Sequence, residues 1–230
     1  IITSVVLVIN AKFDKNSTAK TADTLKSEIV QAITNYNTNT LTAFDGVFRY
    51  SKVMGIVDDV DNSILSNITT VKIRKSFTPT LSSSTKYDVY FRNAIYNPHS
   101  GHEAVLSSTG FKISGNTNEM FLDDDGMGNV RVYYLVSGIK TVQNATQGTI
   151  DYATGQITIN SLDIASISNI RGSVSTVIEV TASPLSNDVV PVRDQILEID
   201  VSNSIVNVSE DTFIGGSSEA GVGYTTSSSY

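Results

Sequence analysis

Three kinds of hydrophobic spacing follow one another along the chain, and each predicts a different element. Residues 5–9 (VVLVI) are continuously β-branched or aliphatic, which predicts a strand covered on both faces. From residue 21 to 36 the period changes. Leu25, Ile29 and Ile33 recur every fourth position with Ala22, Val30 and Tyr36 beside them, while Lys20, Asp23, Lys26 and Glu28 can stay wet. That spacing predicts an amphipathic helix. Residues 35–40 (NYNTNT) end it, because Asn and Thr side chains compete for the backbone. Residues 51–59 predict a shorter helix with Ser51 as its N-cap. Asp58, Asp59 and Asp61 oppose the helix dipole at its C-terminal end and stop it. Val71, Ile73 and Phe77 then alternate with Lys72, Arg74 and Ser76, the pattern of a half-buried strand. The order strand-helix-helix-strand predicts a small α+β module over residues 1–78, one sheet with helices on a single face.

Residues 79–85 (PTLSSST) predict a linker. Beyond them almost everything reads as strands and turns. Tyr87, Val89 and Phe91 alternate, and residues 130–136 are apolar or aromatic at nearly every position, as in a central strand. Residues 150–152 and 156–159 predict a hairpin around Ala153-Thr154-Gly155, with Gly155 at positive φ. Residues 174–180, 196–201 and 205–208 predict further strands. Strands at this density predict a mainly antiparallel, β-sandwich-like domain or partly closed barrel over residues 79–214. Residues 215–230 are rich in Gly, Ser and Thr and poor in charge, which predicts a flexible tail unless a partner orders it.

Composition narrows the function classes. There are 23 acidic and 16 basic residues, a net charge of −7. Phosphate backbones and anionic lipid surfaces repel such a chain, so nucleic acid and membrane are poor partners. The sequence has no cysteine, which removes disulfides, thiol nucleophiles and Cys-ligated metals. Ser, Thr and Asn make up roughly a third of the residues, well above ordinary usage and suited to strands and the bends between them. No apolar run reaches the roughly 18–20 residues of a membrane span. The apolar start lacks a basic flank, and reads better as a buried strand of a larger protein than as a leader.

Candidate chemistry is sparse. Asp123, Asp125 and Asn129, in the run DDDGMGN, gather hard oxygen ligands around tight-turn glycines, as Ca²⁺ requires. The full twelve-residue calcium-loop pattern is not met, and a solvated hairpin tip accounts for the same residues. His99 and His102 with Glu103 are spaced H-x-x-H without helical support, which favours a surface loop over a zinc site. Gly215, Gly216, Gly221 and Gly223 lack the strand, helix and lysine of a phosphate loop. Lys72 and Arg74 offer a basic strand face for an acidic partner, or pair across a hairpin with Asp88. No catalytic constellation emerges, and neither a cofactor nor a small-molecule substrate is implied.

Two segments carry a family resemblance. Phe44, Asp45, Phe48 and Ser51 stand in the spacing FD-x-x-F-x-x-S, followed by D-x-S-I-x-S-N from Asp61 to Asn67. Gly148, Ile150, Asp151, Tyr152, Gly155 and Ile157 form a G-x-I-D-Y-x-x-G-x-I hairpin. Over residues 41–160 the chain resembles the C-terminal part of the large baseplate wedge protein of T-even-like contractile-tail phages, a family related to the baseplate-J group. The resemblance implies a virion structural subunit, assembled in the host cytoplasm, that self-associates as a dimer. It also implies that the subunit joins other wedge proteins in a ring around the tail hub. Leu41, Phe44, Phe48, Ile64 and Ile73 are then expected to hold the module, some of them facing a second copy. The competing class is a receptor- or glycan-binding tail module.

Overall fold

The computed structural model describes residues 2–43, 46–192 and 195–212. Phe44 and the tail 215–230 lie outside them. The architecture is α+β: a small helical region, then a large, mostly antiparallel sheet that curls into a barrel.

β1 (Ile2–Phe13) is the central strand of the first part. It runs antiparallel to β2 (Ile64–Phe77) on one side. On its other side, two strands from the far end of the chain run parallel to it: β11 (Ile196–Ile199) and β12 (Ile205–Glu210). The odd positions of β1, from Val5 to Phe13, are buried. Val6 and Val8 remain half-exposed, so β1 is covered on one face and not on both. Covering that face are α1 (Ala22–Tyr36), which buries Leu25, Ile29, Ile33 and Tyr36, and α2 (Tyr50–Asp58), which buries Val53 and Val57. Burying a large aliphatic side chain contributes about 1.5–3 kcal/mol, so this seam dominates the stability of the helical region.

The start of α1 follows the local prediction, but its C-terminal end and the cap of α2 do not. Thr21 caps α1 by accepting from the Thr24 N–H. The Asn/Thr run does not end the helix but widens it into a π turn over Asn37–Leu41, with Thr42 N–H bonded to Asn37 O at 3.1 Å. The wider turn sets Leu41 in the core and lets Asn37 Oδ1 accept from the Ile199 N–H of β11 at 2.7 Å. Ser51 is not the cap of α2. Asp188, 138 residues away, accepts from the Tyr50 N–H at 2.8 Å and pairs with Arg49.

Residues 84–90 are already strand β3 (Ser84–Tyr90), so the expected linker shortens to residues 79–83, of which Pro79 is buried and the others are exposed. The sheet does not stop there. β10 (Ile178–Ala182) pairs with β2 and with β4 (Leu106–Ser108), which leads to β6 (Met120–Asp124). Rather than two stacked sheets, five strands then close on themselves. β6 pairs with β5 (Phe111–Ile113) and β7 (Asn129–Val136), β7 with β8 (Ile139–Asp151), β8 with β9 (Gln156–Ile167), and β9 with β5. Closure removes sheet edges that would otherwise need cover. The strand expected at 174–180 starts only at Ile178, and Val174 lies exposed in the preceding loop.

Three residues of the G-x-I-D-Y-x-x-G-x-I hairpin have a visible structural reason. Gly148 lies so close to Thr158 O that a Cβ would stand 2.0 Å from it. Asp151 closes the turn by accepting from Ala153 and Thr154. Gly155 has φ +69° and approaches Asn93 O, a conformation and a space that only glycine fits.

Candidate functional site

The acidic run does not form one solvated tip. Asp125 alone occupies the turn, where it accepts from the N–H groups of Met127 and Asn129 and from Asn129 Nδ2 at 2.6 Å. These hydrogen bonds hold its carboxyl below the usual range against the opposing effect of partial burial. Asp123 and Asp124 are buried residues of β6 pointing to opposite faces. On the outside of the barrel, Asp123 takes a two-pronged contact from Arg131 at 2.9 and 2.8 Å and another from Lys140 at 2.5 Å. Asp123 in turn raises the Arg131 guanidinium above its ordinary value. On the inside, Asp124 is fully buried. It accepts from the N–H groups of Val105 and Leu106 at 2.7 and 2.8 Å and from the Tyr152 hydroxyl at 2.7 Å. Burial, with the carboxylate beside it, pushes the Tyr152 phenol well up.

These donors supply what a cation would otherwise provide, so Asp123, Asp125 and Asn129 do not present a shared set of free oxygens. Among the described residues, no group of three or more His, Asp or Glu is placed to hold a metal ion. Two of the three carboxylates instead fasten strands together: Asp123 joins β6, β7 and β8, and Asp124 ties β6 to the segment entering β4 and to the β8–β9 hairpin.

The histidine loop differs from the expected surface loop. His99 is exposed, but His102 is buried, its Nδ1 2.6 Å from Glu103 O and its ring edge-on to Tyr152 at 5.5 Å. The backbone of His102 packs on Gly126, where a Cβ would stand 2.5 Å from the His102 N. The loop is thereby docked onto the acidic hairpin. Arg74 does not pair with Asp88. It reaches Glu179 and Asp200, while Asp88 bonds to Lys86 and Thr158. Asp200 is held down at about 2. Burial opposes that shift but is outweighed by hydrogen bonds from Ser202 and Asn203 and by Arg74. An open groove of about 460 Å³ borders Arg74, Arg171 and Glu179. Both arginines are already engaged there with carboxylates of the chain.

Leu41, Phe48, Ile64 and Ile73 lie in the core, not on the exterior. The exposed apolar residues are others, and two groups of them stand out. The β7–β8 hairpin carries Leu135, Val136, Ile139 and Val142 at its end, beyond the last pairing with β6 at Met120–Tyr134. On the helix-free face of β12, β1 and β2, pairing aligns Ile205 with Val8 and Thr70, and Asn207 with Asn10 and Ile68. Ile68 is 71% and Ile205 53% exposed. Neither group was legible in the sequence, because alternation tells which residues share a face and not whether that face is covered.

Residues 4–76 match a family model described as baseplate structural protein gp6, C-terminal domain III. The match takes in both helices and nearly all of β1 and β2, less than half of the 230-residue chain. No curated protein matches the chain. The protein is consistent with the broad class of phage tail and baseplate structural proteins.

Proposed function

We propose that the protein is a structural subunit of a phage tail baseplate wedge, non-catalytic, joining copies of itself and other wedge proteins in a ring around the tail hub. The observation that supports this reading is the family match over 4–76, which falls on the helix-backed module with the open β12–β1–β2 face. The chemistry agrees with it. The acidic residues of the most charged hairpin are consumed in fastening strands, whereas apolar side chains stand at the surface. Contiguous exposed apolar surface marks sites that a protein partner covers. The net charge of −7 argues for protein partners over nucleic acid or membrane.

The role is tested on purified tail particles with a gold-labelled antibody raised against the chain. Label at the baseplate end of the tail is the expected result. Particles that carry no label, in preparations where other tail proteins are labelled, would overturn the assignment.

A further inference from the structure

The side of β1 opposite β2 carries two edge strands that are finished differently. At β11 the outward N–H of Ile199 is met by Asn37 of the π turn, at 2.7 Å. β12 pairs with β1 alone among the described residues. Its six residues keep an unbroken register with Val8 to Phe13 and contain neither a bulge nor a proline. Natural sheets blunt such edges with charges, prolines or bulges. Here the one charge, Glu210, lies at the end of the strand and is paired with Lys15. An edge that is regular, almost uncharged and open among the described residues is a template for another extended strand.

Resting on the reading of the chain as a self-associating subunit, we infer that two copies join through β12, edge to edge and antiparallel about a two-fold axis at Asn207. The strand is self-complementary in that register. Ile205 faces Ser209 of the second copy, Val206 faces Val208, Asn207 faces Asn207, and Glu210 lies opposite Ser204. No like charges meet, and the side-chain amides at the axis, each donating one N–H to Asn10 of its own sheet at 2.9 Å, keep Oδ1 and a second N–H for each other. The two sheets become one, with α1 of each copy on the same side. β8 is a poorer candidate, since its pairing with β7 shifts register twice between residues 130 and 133, which breaks the edge. A six-residue strand pair covers less than the roughly 800 Å² per partner of a standard interface. A dissociation constant on the order of micromolar is therefore expected.

The absence of cysteine makes the test clean. Light scattering of the wild-type chain from about 1 to 100 µM, a range that brackets the expected constant, should show a dimer forming. N207C places two thiols at the axis, within the Cα separation a disulfide spans. Mild oxidation should cross-link it quickly, while S84C, on the charged β3 edge, should not cross-link. N207K sets like charges face to face and should weaken the dimer about tenfold. A dimer indifferent to N207K, with N207C no faster than S84C, would overturn this interface and leave self-association standing. A strict monomer at every concentration would overturn both.

Discussion

In the helix-backed part of the sheet, Val5, Leu7, Ile9 and Ala11 meet Ile29, Ile33, Val53 and Val57, and all of these are aliphatic. In the barrel, Leu122, Val130, Val132 and Ile157 share their interior with Asp124, a carboxylate fully out of water. The first part of what is one continuous core is held by area removed from solvent, a non-directional effect that tolerates repacking. The second depends on three donors aimed at one side chain, which fixes the loop before β4 and the β8–β9 hairpin in a single arrangement. The difference teaches where each part is fragile. Loss of a methyl group is the threat to one, and loss of an acceptor the threat to the other.

The largest effect should come from D124A, which leaves two buried N–H groups and a phenol without an acceptor. About 3–5 kcal/mol should be lost in urea unfolding. A loss below about 1 kcal/mol, the scale of one ordinary hydrogen bond, would mean that water replaces the carboxylate and the contrast collapses. I29A sharpens the other side, with about 2–5 kcal/mol lost through a cavity in the aliphatic seam; its effect should not change between pH 5 and pH 8. G155A forces a Cβ to 2.2 Å from Asn93 O at φ +69°. It should cost at least about 2 kcal/mol, with amide exchange accelerated in residues 91–95 rather than in α1. D188A removes the distant cap of α2 and should cost about 1 kcal/mol, read as fraying of residues 50–53.

The smallest effect is one of pH. Asp200 and Asp61 both sit at about 2, the latter through Lys20 first and Ser63 second. Each carboxylate binds its proton more weakly in the folded chain than in the unfolded one. The stability they contribute is therefore complete above the ordinary value near 3.8 and is lost as pH falls toward 2. Lys75 works in the opposite range. It is pushed down to about 8 by burial, helped by Arg92, with its Nζ on Ile2 O. Unfolded chains hold more protons at this position between pH 8 and 10.5, so stability should rise there. K75M should abolish that rise, and melting curves across the two windows check both signs.

The fate of individual residues shows how much was legible. The α-helical span of α1 could be read to within a residue because its signal is local, a four-residue period with no glycine or proline; the π turn that follows it was not. The β8–β9 hairpin was readable for the same reason, since Asp151 and Gly155 act on their immediate neighbours. Ser51 was the best local cap for α2, yet Asp188 supplies it from the other end of the chain. Asp123, Asp124 and Asp125 look alike in a row and ended as a barrel-surface clamp, an interior acceptor and a turn former.

The α+β class, the helix that backs β1 and the tight turns are written into the chain locally, because period and backbone preference are properties of short stretches. Only the tertiary structure decided that the last strands return to β1, that five strands close into a barrel, and which carboxylates are consumed inside. Those outcomes depend on groups well separated along the chain meeting in space, from 18 residues apart for Asp124 and Leu106 to 197 for Asn10 and Asn207, and no local spacing encodes such a meeting. The same holds for the bare edge of β12: its residues spell a strand, and only the fold leaves one side of that strand without a neighbour among the described residues.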